Sequence, residues 1–346
     1  MKKIPKMYDN TVDFDEQEVI FRDVCTDRGF PLGGIGTGGF NILTDGGFAK
    51  FRTNHNWFRF VKSLNFPKGS FIALRIENDQ TKITRILRRK YHNGKEYDNI
   101  TNIEHTKFMG KIPRFSLEYN INDDNESDSN SLPVMAKLTG FTSLIPQNIK
   151  DSSLPCAFFT IKLKNNDAVT SQISILFSFE NILGLGGSGG SHLLLVRDGP
   201  VAYRRTRGNY QEVIEKEIMK GIRFKTEQNY SENNPRMRTI GEYLFFMKNS
   251  QEFSRNYNMN VSYCKSWDSN SSAPEILEEF NRNGRISSNS IDKKGKSGAF
   301  CVDLSLGSGE NIELDFYIIW WTPYYVIEKN QRIRKYFGKH NGIDYG

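Results

Sequence analysis

Phe158-Phe159-Thr160-Ile161-Lys162-Leu163, then Asn165-Asn166-Asp167, then Gln172-Ile173-Ser174-Ile175-Leu176-Phe177-Ser178-Phe179 read as strand, turn, strand. Both runs are rich in β-branched and aromatic residues and partly alternate apolar with polar positions, which suits a pleated surface that buries one face. The amides and aspartate between them are turn formers. The same signature recurs in both directions along the chain. Phe71-Ile72-Ala73-Leu74-Arg75-Ile76 and Arg114-Phe115-Ser116-Leu117-Glu118-Tyr119 lie upstream. Glu242 to Met247, Asn260 to Trp267, Gly298 to Leu306 and Asn311 to Trp321 lie downstream. Turns at Glu77-Asn78-Asp79 and His92-Asn93-Gly94, and a polar stretch from Asn122 to Ser131 read as a mobile hairpin tip, separate them. Their number and spacing predict an all-β chain, a large two-sheet antiparallel β-sandwich. One short helix interrupts the strands near 272–284. Ser272-Ala273-Pro274-Glu275 has the form of a capping box with Pro in the first turn, Ile276, Leu277 and Phe280 share an apolar face, and Gly284 stands where a C-terminal cap belongs.

The composition fits that reading. With 37% hydrophobic and 25% charged residues over 346 positions, the chain has the means to bury a core, which excludes disorder throughout. Its longest wholly apolar runs, such as Tyr317 to Trp321, are about five residues, far short of the roughly 18 that span a bilayer. The N-terminus, Met1 to Asn10, carries positive charge but no apolar segment behind it, so a cytoplasmic location is expected. Cys25, Cys156, Cys264 and Cys301 stand singly, which predicts buried reduced thiols rather than a metal site or a disulfide framework. The net charge of +7 arises from 47 basic against 40 acidic residues, a balance too even to indicate nucleic acid. The basic clusters Arg85 to Lys90 and Arg204-Arg205-Thr206-Arg207 lack interleaved aromatics and are read as solvated strand surface.

The glycine cluster Gly33-Gly34-Ile35-Gly36-Thr37-Gly38-Gly39 contains a G-x-G-x-x-G match. A dinucleotide fingerprint needs a strand before it, a helix after it and an acidic residue about 20 positions on, and all three are missing. A tight loop in which backbone approaches backbone is expected instead. The run Gly184 to Gly190 lacks the Lys-Ser/Thr ending of a phosphate loop and reads as a flexible loop tip. Asn54, His55 and Trp57 place amide, imidazole and indole groups together, a set suited to sugar hydroxyls and a pyranose face. The competing reading, which weighs more, puts Trp57 and Phe58 in the core with the amides satisfying turns. Trp320 and Trp321 point to opposite sides of the last strand, so one belongs to the core and the other can cover an interface. Trp320, Trp321, Tyr324 and Tyr325 are the candidate domain-interface residues. The five histidines form no H-x-x-x-H pair, and neither a metal nor a cofactor is expected.

Pro31-Leu32-Gly33-Gly34-Ile35-Gly36-Thr37-Gly38, Phe71 to Arg75 and Pro113 to Tyr119 resemble the N-terminal domain of glycoside hydrolase family 116. The longest similarity is central: Leu132-Pro133-Val134, Gly140 to Pro146, Asp151-Ser152-Ser153-Leu154-Pro155, Asn165-Asn166, and Phe179-Glu180-Asn181-Ile182-Leu183-Gly184. The final strand with Trp320 and Pro323 resembles the end of the same domain. The resemblance covers roughly Arg28 to Pro323. It divides the chain into an N-terminal extension, 1–27, a sandwich, 28–323, and a linker or truncated start of a helical domain, 324–346. The family includes β-glucosidases and non-lysosomal glucosylceramidases, and it implies a β-sandwich followed by an (α/α)6 barrel that holds the nucleophilic Glu and the acid/base Asp. No catalytic residue can therefore be carried over to any position of this sequence. The expected partner is a helical catalytic domain, in cis or in trans, through which alone a β-glucoside or glycolipid would be met. The alternatives are a free-standing carbohydrate-binding module and, least favoured, a nucleic-acid binder driven by the basic charge.

Overall fold

The structure, a computed structural model, describes residues 20–22, 29–53, 67–90, 96–119, 132–183, 208–226, 240–249, 256–287, 296–322, 324–328, 331–334, 339–340 and 343–344. Its strands begin with β1 (Ile20–Arg22), β2 (Gly29–Gly34), β3 (Gly38–Leu43), β4 (Phe48–Ala49), β5 (Phe71–Glu77) and β6 (Lys82–Ile86). They continue with β7 (Thr101–Asn102), β8 (Thr106–Lys111), β9 (Arg114–Tyr119), β10 (Val134–Phe141), β11 (Cys156–Asn165) and β12 (Ser171–Glu180). The later strands are β13 (Asn209–Lys216), β14 (Met219–Thr226), β15 (Glu242–Lys248), β16 (Asn260–Trp267), β17 (Ser297–Leu306) and β18 (Asn311–Trp321). The helices among the described residues are α1 (Ile149–Ser152) and α2 (Glu275–Asn283).

Nine strands form one sheet in the order β1-β8-β9-β10-β11-β18-β15-β14-β13, and six form a second in the order β16-β17-β12-β5-β6-β7. All pairings are antiparallel except the short β6–β7 contact. This is the expected two-sheet sandwich, with a third, three-stranded sheet β2-β3-β4 added. Phe177 of β12 stacks on Phe316 of β18 with ring centroids 3.8 Å apart, joining the two large sheets at the centre of the core. Phe40 and Phe48 of the small sheet reach Phe159, and Phe51 meets Phe179, so the small sheet belongs to the same apolar cluster.

The six-stranded sheet departs from the expectation that each strand buries one face. Phe71 to Ile76 are all buried, as are Gln172's neighbours from Ile173 to Glu180. The reason is α2. Ile276, Leu277 and Phe280 pack with Leu176, Ala73, Cys301 and Trp267 over the outer side of that sheet, forming a second core. Gly284 ends the helix in the left-handed conformation at φ 67°, its N–H donating to the Phe280 carbonyl, as its position implied. The capping box does not form: Pro274 is the N-cap, and no side chain caps the helix start.

One further reading is corrected. Arg88, placed among solvated surface cations, is 4% exposed and pairs with Glu96 at 3.0 Å, because the chain turns inward after β6. Ile20–Arg22, inside the stretch taken as an extension, forms an edge strand on β8. Within 324–346, Tyr324–Glu328 pairs with Gln331–Arg334 and Lys339–His340 pairs with Ile343–Asp344 as short hairpins. The stretches Asn122 to Ser131, His92 to Gly94, Gly184 to Gly190 and Arg204 to Arg207 lie outside the described residues.

Candidate domain interface

The glycine cluster is the tip of the β2–β3 hairpin. Gly34 pairs with Gly38 across the turn Ile35-Gly36-Thr37, and Gly36 and Gly38 hold φ of 74° and 84°. A side chain at Gly34 would collide with the Leu154 carbonyl, and one at Gly33 with the Gly38 carbonyl. The hairpin is therefore pressed against the loop from Thr142 to Pro155, and Ile35 N–H donates to the Ser152 carbonyl at 2.7 Å. The expected tight backbone loop is what forms; β2 leads into it, where no preceding strand was expected, and a strand rather than a helix follows it.

The Thr142 to Pro155 loop is fastened from within. Thr142 donates its hydroxyl to the Pro31 carbonyl and its N–H to the Pro113 carbonyl, next to the cis Ile112–Pro113 peptide. Ser143 donates to the Asp151 carbonyl at 2.6 Å, and the Ser152 hydroxyl bridges the N–H and carbonyl of Ile145. Asn148 caps α1 by accepting from Asp151 N–H. Ser143 and Ser152 thus turn inward, while Leu144, Ile149 and Leu154 are 39%, 66% and 41% exposed, with Gln147 and Lys150 exposed between them. Ile35 and Ile112, on the adjoining hairpin tips, are also exposed. Grouped exposed apolar side chains of this kind mark a contact surface.

The apolar surface continues onto the outer face of the nine-stranded sheet. Phe141, Phe158, Tyr317 and Phe246 are consecutive partners across β10, β11, β18 and β15, and each is partly exposed. Their strand neighbours Phe159, Phe316 and Phe245 point the other way, into the core. Phe141 and Phe158 lie face to face with centroids 4.6 Å apart, Tyr317 and Phe246 do so at 5.2 Å, and the two pairs meet edge to face. Desolvation raises the Tyr317 hydroxyl above its ordinary range, so it stays neutral. Ile319, Leu244 and Trp321 extend the apolar area toward the end of β18, where Arg223 pairs with Glu242. In the opposite direction Thr160 donates to Asp315, and beyond it Glu118, Lys137, Lys162 and Glu313 form a ladder of charges. The outer face is thus half aromatic and half ionic.

Of the interface candidates, Trp320 is wrongly placed. It is fully buried, donating its indole N–H to the Thr37 carbonyl at 2.8 Å and meeting Phe40 edge to face, so it anchors the glycine hairpin instead of presenting a surface. Trp321 is partly exposed on the outer face. Tyr324 and Tyr325 lie on a described strand, but their side-chain surroundings fall outside the described residues, and Asn54, His55 and Trp57 fall outside altogether. The loop leucines and the aromatic row escaped the sequence reading. The doublets Phe158-Phe159 and Phe245-Phe246 carried the signal, because neighbours on a strand face opposite ways, so one of each pair faces away from the inter-sheet core.

No group of three or more His, Cys, Asp or Glu among the described residues could hold a metal ion, and Cys156, Cys264 and Cys301 are buried free thiols. Burial raises the Cys156 thiol to about 12, which leaves it unreactive at neutral pH.

No curated protein matches the chain. Among solved structures, a putative kojibiose phosphorylase from the human microbiome aligns with 90% of this chain at 10% identity and a TM-score of 0.37. The chain spans 32% of that phosphorylase's length. A galactose mutarotase-like protein from Clostridium acetobutylicum aligns with 88% of this chain, and over 99% of its own length, at 8% identity and a TM-score of 0.36. Residues 29–344 match the family model described as beta-glucosidase 2, glycosyl-hydrolase family 116 N-term. The chain belongs to this family of glycoside hydrolase N-terminal domains.

Proposed function

We infer that this chain is the non-catalytic sandwich domain of a β-glucosidase- or glucosylceramidase-type hydrolase, and that it holds a helical catalytic domain in cis or in trans. The observation that carries this reading is the loop from Thr142 to Pro155. Ser143, Asn148 and Ser152 brace the loop from within, and Leu144, Ile149 and Leu154 face outward beside Gln147 and Lys150. Such a rigid apolar end serves to position another protein surface rather than to perform chemistry. A β-glucoside or a glucosylated lipid would be met only through the helical domain, whose two carboxylates would cleave the glycosidic bond. The buried free thiols support a reducing, cytoplasmic setting.

The purified 346-residue chain, incubated with an aryl β-glucoside, is expected to give no saturable release of the phenol. The same chain added to a separately expressed helical domain of a family 116 β-glucosidase is expected to raise that domain's activity or thermal stability. Saturable hydrolysis by the chain alone would defeat the reading.

A further inference from the structure

A cleft of about 530 Å³ opens on another side of the molecule, lined by residues between Arg89 and His105. β8 separates it from the Thr142 to Pro155 loop. Lys111, the last residue of β8, pairs with Arg114 beside Pro113, whose carbonyl accepts from Thr142 N–H. Thr106, the first, pairs with Tyr119 at the opposite end of the strand and directly follows the cleft. Three sheets meet here. β7 is the edge of the six-stranded sheet, Ile103 to His105 cross from it to β8 of the nine-stranded sheet, and Arg89 N–H donates to the Asp45 carbonyl in the β3–β4 turn at 2.8 Å. Ile103 N–H donates to the Ile86 carbonyl at 2.9 Å, the Arg89 guanidinium to the Glu104 carbonyl at 2.7 Å, and Arg88 to Glu96 at 3.0 Å. The walls are thereby tied to one another, so the cleft is formed in advance of any ligand, as small-molecule sites usually are.

Its lining selects a class of ligand. Ile100 and Ile103, 6% and 2% exposed, give it an apolar base, and Arg89, Lys90, Glu96 and Glu104 stand around them. Behind these lie Arg88, paired with Glu96, and Asp45, which feels the charges of Arg88 and Arg89 and, with its pKa raised to about 6, is ionised at neutral pH. Arg88, Arg89 and Lys90 are thus matched by Asp45, Glu96 and Glu104, and the balanced set gives no net field to hold an anion or a cation. An apolar ligand fits no better, because it would strip water from these charges without replacing the lost hydrogen bonds. Carboxylates that accept and cations that donate, side by side, suit an uncharged molecule with neighbouring hydroxyls, each of which both donates and accepts. A sugar ring adds a C–H face that can lie on the isoleucines.

We propose that this cleft is a non-catalytic binding site for a free, uncharged monosaccharide, with Lys90 and Glu104 holding its hydroxyls and Ile100 and Ile103 meeting its C–H face. The site shares no residue with the loop on which the functional reading rests, so either can fail without the other.

The test labels the isoleucine methyl groups of the 346-residue chain with carbon-13 and follows their magnetic-resonance signals during titration with D-glucose and, separately, with inorganic phosphate. Glucose is expected to shift the Ile100 and Ile103 signals along one saturable curve in the millimolar range. Lys90→Ala and Glu104→Ala should each weaken that binding roughly tenfold, since each removes a hydrogen bond from a charged group to a hydroxyl. Both side chains are exposed, so thermal melts of the two variants should match wild type. Lys150→Ala, beside the distant loop, should leave glucose binding unchanged. Glucose that moves neither signal, or that moves other isoleucines in their place, would overturn the proposal. So would glucose binding that Lys90→Ala and Glu104→Ala both leave intact. Phosphate that saturates the same two signals where glucose does not would make the cleft an anion site and overturn the proposal as well. None of these results bears on whether the chain hydrolyses an aryl β-glucoside, which tests the functional reading separately.

Discussion

Asp45 is 1% exposed in the turn between β3 and β4, where its carboxylate accepts from Gly47 N–H at 2.8 Å. Desolvation raises its pKa to about 6, against the smaller opposing pull of that hydrogen bond and of Arg88 and Arg89. A carboxyl that holds its proton more tightly in the fold than in the unfolded chain stabilises the fold at low pH. That contribution is complete below about pH 4 and is lost as pH rises through about 6. Asp45→Asn should therefore flatten the decline of stability between those values, by on the order of 3 kcal/mol, in urea titrations across the range. A decline that persists in the variant would assign it to other groups. Trp320 teaches a related lesson about single residues. Sequence placed one tryptophan of the pair inside and the other outside, but only the indole bond to Thr37 shows which is which.

At the scale of elements, the glycine hairpin and α2 were both legible, and for physical reasons. Glycine appears where backbone must pass close to backbone, and the β2–β3 tip lies against Leu154 and Ser153. Two neighbouring substitutions separate two causes. Gly34→Ala meets backbone atoms of Leu154 and Ser153, which cannot swing away, and should cost at the upper end of overpacking, about 3 kcal/mol or more. Gly36→Ala meets no atom but must adopt φ 74°, and should cost only about 1–2 kcal/mol. Thermal or urea denaturation of both variants checks the order, and equal losses would contradict it. In α2, Phe280 is fully buried in the second core, so Phe280→Ala should cost about 3–5 kcal/mol by the same measurements. The capping box failed because Pro274 itself occupies the N-cap, with Ser272 outside the helix. Parts of the Thr142 to Pro155 loop stood out only through the family resemblance, which did not tell that Leu144, Ile149 and Leu154 face outward. Which residues of a loop face outward depends on the hairpin and strands that it is bonded to.

Across the whole molecule, one apolar cluster joins the two large sheets and the three-stranded sheet. The small sheet contributes Phe40 and Phe48 to it, and Phe51 just after β4 joins them, against Phe159, Trp320 and Phe179. Shared burial couples the unfolding of its contributors, so near-ultraviolet and far-ultraviolet circular dichroism should report one coincident transition. An earlier near-ultraviolet step would mark the three-stranded sheet as a separate unit. The β-sandwich, the strands β5, β9, β11, β12 and β15 to β18, and the helix were written in local patterns, because period-two alternation and turn chemistry act between residues close in the chain; β10, β13 and β14 were not. The sequence also marked outward aromatics through its doublets, since strand geometry sends neighbours to opposite faces. Only the tertiary structure decided that Trp320 is core, that Arg88 is buried, and that α2 dries the outer side of the six-stranded sheet. It alone brought Phe141, Phe158, Tyr317 and Phe246 into a row. Those outcomes depend on strand order and register, with β18 seated between β11 and β15 although more than 60 residues separate it from β15 and far more from β11. No local pattern encodes such a pairing; it is selected by the burial that the assembled sheets achieve together.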